Sequence, residues 1–348
     1  MCLSPRVRVA LFSAIFCFAL AICFTASSAA EKPKIGFLVD SLKVERWQTD
    51  FASFQKRAQE LGAEVVLEDA DGSDDQMFKQ AKKLIEQHVN ALVLIPHDTD
   101  KAVRIVELAK SKGVPVLSYD RLIRNTDINF FVGADVVAIG EMQASALLAV
   151  APKGNYVLLE GSPTDINAHL LLDGQKKALK PSIDRGDIKI VAEVWCADWK
   201  PAEAYAHIAD VLDKNHKQIA AVVASNDGTA GGAIQALEEA KLDGKVAVSG
   251  QDADLAAIIR ILKGTQSMTV YKPIGSIAAQ AADAAVALAN GQKPAASSTV
   301  SNGKLEVPAI VGPTIAVNKD NVSQTVIKDG FQNLNTIKKS LPPDQWPK

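Results

Sequence analysis

Cysteine is scarce: the 348-residue chain has four, and three of them, Cys2, Cys17 and Cys23, fall among the first thirty residues. Those residues read as a secretory leader, with Arg6 and Arg8, an apolar run from Val9 to Phe24, and small residues up to Ala30 ahead of Glu31. Cleavage is expected after Ala30. The run is short for a bilayer core of about 30 Å, which argues against a membrane anchor. Bulky Phe16 and Ile22 ahead of Cys17 and Cys23 argue against a lipid-modified terminus. The exported chain then keeps Cys196 alone, so an internal disulfide is excluded. A surplus of positive charge is absent too. The formal charge is −2 for the whole chain and becomes −4 without Arg6 and Arg8, which argues against nucleic acid or an anionic membrane as partner. Without disulfides, stability must come from a hydrophobic core. The 48% of hydrophobic residues supplies one, and the length predicts two domains.

Beyond the leader, short β-branched apolar runs alternate with longer amphipathic ones. Strands are expected at 35–40, 64–70, 91–96 and 115–120, with helices at 46–61, 74–87 and 99–112 between them. This alternation predicts a parallel sheet covered by helices on both faces. The pattern restarts after a strand at 129–134, with strands at 155–161, 188–195, 220–227, 245–252 and 267–272. The fold class is therefore α/β: two similar doubly wound parallel-sheet lobes. A helix at 274–290 and a late strand at 310–317 complete one lobe each, which predicts three crossings, near Asp135, Lys272 and Val307. The N-terminal lobe is expected to hold 31–134 and 273–307, and the C-terminal lobe 135–272 and 308–348. The tail after Phe331, with Pro342, Pro343 and Pro347, reads as surface coil.

In an open parallel sheet, ligands bind at the carboxyl ends of the strands. The polar and aromatic residues expected there are Arg46, Trp47, Asp120, Arg121, Asp165, Asn167, Trp199, Asn226, Asp252 and Lys272. Carboxylates, amides and cations in balance suit a neutral polyhydroxylated ligand, because each hydroxyl both donates and accepts. Trp47 and Trp199 could sandwich the apolar C–H faces of a pyranose ring. Trp195 and Trp346 have no such placement and read as structural.

The segment Ala221-Val222-Val223-Ala224-Ser225 followed by Asn226-Asp227-Gly228-Thr229-Ala230-Gly231-Gly232 resembles the one shared by type I periplasmic sugar-binding proteins. Glu45-Arg46-Trp47-Gln48, Tyr119-Asp120-Arg121, Gly161-Ser162-Pro163, Ser249-Gly250-Gln251-Asp252 and Met268-Thr269-Val270-Tyr271-Lys272-Pro273 resemble the xylose-binding members of that family. The likeness spans nearly the whole exported chain. It implies a two-lobed fold with a three-crossing hinge, and a sugar held by the ten residues above, with Lys272 at the hinge. It also implies xylose as ligand and a membrane ABC permease as partner. A chemoreceptor partner is compatible with it; a monomer without cofactor, metal or catalytic residue is expected.

Sharper readings of single motifs are weaker. Asp69 to Asp75 has the carboxylate density of a calcium loop, but its twelfth position is Gln80 rather than glutamate, so a turn capping the next helix is expected. No lysine follows the glycines 228, 231 and 232, which argues against a phosphate cradle; they are expected to let their helix pack close to its strand. Cys196 with His169 or His207 could be drawn as nucleophile and base, and Asp120 with Asp165 as a hydrolytic pair. The cations near each acid would keep it charged, so binding without catalysis is expected. A sugar-responsive transcription regulator needs a DNA-binding head where this chain has its leader.

Overall fold

The computed structural model describes residues 32–347; the expected leader, with Cys2, Cys17 and Cys23, lies outside the described residues. In chain order the elements are β1 (Lys34–Val39), α1 (Glu45–Glu60), β2 (Glu64–Asp69), α2 (Asp74–Glu86), β3 (Ala91–Leu94), α3 (Val103–Ser111), β4 (Val116–Tyr119) and β5 (Phe130–Ala134). The second run holds α4 (Val136–Val150), β6 (Gly154–Glu160), α5 (Ile166–Asp184), β7 (Ile188–Trp195), α6 (Pro201–Lys214), β8 (Ala221–Ala224), α7 (Asp227–Glu239), β9 (Ala247–Val248), α8 (Leu255–Lys263) and β10 (Thr269–Tyr271). Then follow α9 (Ile274–Ala289), β11 (Ser298–Ser301), β12 (Glu306–Gly312), β13 (Ile315–Val317) and α10 (Leu334–Lys339).

A seven-stranded sheet runs in the order β11-β12-β5-β4-β3-β1-β2, parallel except for β11. A four-stranded parallel sheet runs β7-β6-β8-β9, and β10 pairs antiparallel with β13 beside it, joined through a bridge between Gln251 and Val270. Every residue of β3, β4, β5 and β8 is buried, because helices cover both faces of a parallel sheet. In the first lobe one face buries Phe37, Val93 and Tyr119 against Phe54 of α1 and Ala281 of α9. The other buries Leu38, Leu92 and Leu94 against Leu84 of α2 and Ile105 of α3.

In the second lobe, α4 and α5 meet at a reciprocal glycine crossing. A Cβ on Gly140 would lie 2.1 Å from the carbonyl oxygen of Leu171, and one on Gly174 the same 2.1 Å from that of Val137. Only glycine permits that approach.

Several expectations are corrected. The strand expected at 245–252 is confined to Ala247–Val248, with a single further bridge at Gln251 before the backbone turns to positive φ at Asp252 and Ala253. The strand expected at 310–317 is two strands in different sheets: β12 pairs with β5, and β13 with β10. The third passage between lobes therefore lies beyond Gly312, at Pro313, rather than near Val307. Gly232 brings α7 against the start of α6, where a Cβ would lie 2.0 Å from the Pro201 carbonyl oxygen, and not against its strand. The tail is packed rather than loose. Asn333 caps α10, and Ile337 and Leu341, one helical turn apart, are buried against Ile258, Ile261 and Val326.

Candidate binding site between the lobes

α1 begins directly after β1 and its first turn carries Arg46 and Trp47, both buried. One turn on, Asp50 accepts from Arg46 Nε and Nη2, each at 3.3 Å, and also from the Tyr119 hydroxyl at 2.5 Å. Asp50 thus fixes the guanidinium from behind. Its Nη1 faces forward, 3.0 Å from Asp120 Oδ1 and 3.4 Å from Asp252 Oδ1. The guanidinium carbon lies 4.1 Å from the Trp47 ring centroid, so a cation already covers one face of that indole.

Asp120 and Arg121 follow β4, Asp120 in a left-handed conformation with φ 62°. Arg121 is backed as Arg46 is. Its Nη1 donates to Asp40 Oδ2 at 2.8 Å and to the Pro96 carbonyl at 2.7 Å, while Nε reaches Asp165 Oδ2 at 2.7 Å. The other Asp40 oxygen holds His97 Nδ1 at 2.8 Å, and this hydrogen bond raises the imidazole pKa above its ordinary value.

The second lobe answers from its strand ends. Asp165 caps α5, and its Oδ2 also accepts the Trp199 indole N–H at 3.1 Å. The Trp199 ring lies directly over Gly161, where a Cβ would sit 2.1 Å from it. Asn167 Nδ2 donates across the cleft to Asp120 Oδ2 at 3.0 Å. Asn226 caps α7 through its Oδ1. Asp252 stands in a strained turn, φ 100° followed by φ 57° at Ala253, a geometry costing of order 1–3 kcal/mol per residue. Lys272, at the end of β10, places Nζ 3.2 Å from Asp120 Oδ1 and 3.6 Å from Asp252 Oδ1.

All ten residues chosen from strand ends thus lie around one cleft, nine of them along its lining and Lys272 through its ion pairs. Val44, Leu171 and Gln251 line it as well; the two apolar ones left no signal at the strand ends. Asp40, Asp50 and His97 were also missed, although the i, i+4 spacing of Asp50 from Arg46 was legible. Burial, the largest influence on Asp120, pushes its carboxyl up, but Arg46, Lys272 and Arg121 overcome it and hold the group below the carboxylate range. Burial raises Asp165 despite Arg121.

The lining leaves a narrow cleft with a cavity of ≈ 30 Å³. The ion pairs Arg46–Asp252 and Lys272–Asp120 span it from one lobe to the other. A larger cavity, ≈ 1190 Å³, lies at the opposite end of the first lobe beside Ile85, Val114 and Leu288, without a converging set of buried charges. Size does not mark the chemistry here.

Cys196 makes no pair with a histidine among the described residues. His169 and His207 bond the carbonyls of Pro163 and Trp195, and burial pushes the thiol up to about 12. In the acidic segment, Ser73 caps α2, while Asp74 and Asp75 pair with Lys101 and Arg104.

Residues 35–293 match the model of the periplasmic binding protein domain. The chain belongs to this family. This periplasmic binding protein is 48% identical over 308 residues to the D-xylose-binding periplasmic protein of Escherichia coli K12, covering 88% of this chain and 93% of that one. It is 46% identical to the protein of the same name from Haemophilus influenzae, over 90% and 95% of the two chains. Among solved structures it resembles a carbohydrate transporter solute-binding protein of Chloroflexus aurantiacus in complex with D-glucose. The TM-score is 0.81 and the identity 29%, over 90% of this chain and 99% of that one. The type I two-lobed α/β architecture is that of the family.

Proposed function

We propose that this periplasmic binding protein captures D-xylose and delivers it to a membrane ABC permease, by binding and release without turnover. The observation that carries the reading is the balanced charge of the cleft: three buried cations from both lobes face three buried carboxylates across it. The hydroxyls of a neutral sugar held between the closed lobes can satisfy these groups without leaving a charge bare, each donating to a carboxylate and accepting from a cation. The Trp47 indole N–H is buried without an acceptor, so a sugar oxygen would satisfy it.

Xylose is supported by the names of the two relatives at 48% and 46% identity. It also fits the two indoles, since β-xylopyranose carries its hydroxyls equatorially and leaves both ring faces apolar. Export with cleavage after Ala30, a monomeric state and a compatible chemoreceptor belong to the same reading. The glucose held by the Chloroflexus structure favours a second reading, in which another monosaccharide is the ligand.

A thermal-shift panel of xylose, glucose, ribose and galactose decides between them. A ligand at 100 times its Kd adds about 2.7 kcal/mol, and xylose is expected to give the largest shift. A larger shift from another sugar, with none from xylose, overturns the assignment.

A further inference from the structure

Asp227 lies outside the cleft lining, yet it is buried and stands behind the turn that presents Asp252. The residue opens α7 one position after the cap Asn226. Its Oδ2 accepts the backbone N–H of Asp254 at 3.0 Å and the hydroxyl of Thr269 at 2.9 Å; its Oδ1 accepts Gln266 Nε2 at 2.8 Å. The Thr269 oxygen in turn accepts the backbone N–H of Ala253 at 3.2 Å. Both N–H groups following Asp252 are therefore fastened, directly or through one hydroxyl, to this carboxylate. The backbone fastened there is the one that needs it, with positive φ at Asp252 and Ala253, neither of them glycine. On the other side, Gly250 leaves room for the carboxylate, since a Cβ would lie 2.0 Å from Asp227 Oδ1.

We infer that Asp227 is a positioning residue for ligand binding: it clamps the strained Asp252–Ala253 turn so that the Asp252 carboxylate meets Arg46 and the ligand when the lobes close. Relaxed, the turn would swing Asp252 away from Arg46 and Lys272, and the cleft would lose the acceptor that both lobes share. Burial, and after it the charge of Asp252, raise the Asp227 carboxyl pKa, as expected of two acids held close in one support.

The inference rests on the sugar-binding reading and is tested by a double-mutant cycle with D-xylose in isothermal titration calorimetry. Asp227→Asn replaces one accepting oxygen by an amide that faces donors, and is expected to weaken binding tenfold or more. Asp252→Asn removes the presented charge. If Asp227 acts through Asp252, adding Asp227→Asn to Asp252→Asn changes Kd less than twofold. A carboxylate that merely supports the fold lowers the melting temperature without that non-additivity. Should Asp227→Asn fail to fold, Thr269→Val breaks the same clamp and enters the same cycle. Full additivity, or a Kd within twofold of wild type for the clamp variant alone, overturns the inference. An Asp252→Asn protein that binds xylose as tightly as wild type instead sinks the reading of the cleft itself.

Discussion

Two side chains illustrate how much of this molecule turns on single atoms. Trp199 rests on Gly161 with no room for a methyl group between them. Gly161→Ala must displace the indole from Asp165, and overpacking of this kind costs about 1–3 kcal/mol. We expect xylose affinity to fall by tenfold or more, read by calorimetry, and Trp199→Ala to fall by at least a few-fold, since ring stacking contributes about 0.5–1.5 kcal/mol beyond area burial. Unchanged affinity in both would remove Trp199 from the site. Glu160, at the end of β6, is different: it is buried, accepts from Ser225 Oγ at 2.6 Å, and leaves Oε1 without a donor. Burial pushes its carboxyl up to about 8 from an ordinary 4.5. A raised native pKa means the folded state holds the proton more tightly. Its stabilising contribution is complete below 4.5 and is lost as pH rises through about 8. Chemical denaturation across that range should show stability declining, since every tenfold by which the folded state tightens its hold on a proton is worth about 1.4 kcal/mol. Glu160→Gln should flatten this slope; an unchanged slope would place the titration elsewhere.

Helices do more here than cover sheets. The N-termini of α1, α5 and α7 carry Arg46, Asn167 and the capping Asn226 into the cleft, so the packing of each helix sets a binding atom. α10 has no such duty. It closes the apolar side of α8 through Ile337, fully buried beside Ile261 and Val326. Ile337→Ala should destabilise the protein by about 2–5 kcal/mol, seen as a lower melting temperature, while Kd for xylose holds within twofold. A large change in Kd would mean that the tail communicates with the cleft.

At the scale of the whole molecule, the two lobes meet across the cleft through charged and polar pairs. Arg46 meets Asp252, Lys272 meets Asp120, Arg121 meets Asp165 and Asn167 meets Asp120, each pair spanning the two lobes. A ligand shifts an open–closed balance only through its different affinity for the two states. Small-angle scattering should show the protein contracting at saturating xylose. Lys272→Ala leaves Asp120 and Asp252 less compensated, a loss of about 1–3 kcal/mol, so the variant should contract only at higher sugar. A radius that stays constant in the wild-type protein would end the hinge account.

The alternation of elements, the two α/β lobes and the roster of residues at the strand ends were legible in the sequence. They follow from short-range physics: hydrophobic period, helix caps, and the rule that a parallel sheet gathers its loops at one end. The spacing of Asp50 from Arg46, four residues along one helix, was legible too, although its backing role was missed. Tertiary structure alone decided the rest. Asp252 bonds Arg46 across 206 positions, and Asp227 grips a turn whose strain no local pattern announces. β12 and β13 are split between sheets because their partners, β5 and β10, lie far back in the chain. Such contacts depend on where distant segments arrive once the core has closed, and a one-dimensional pattern does not encode that distance.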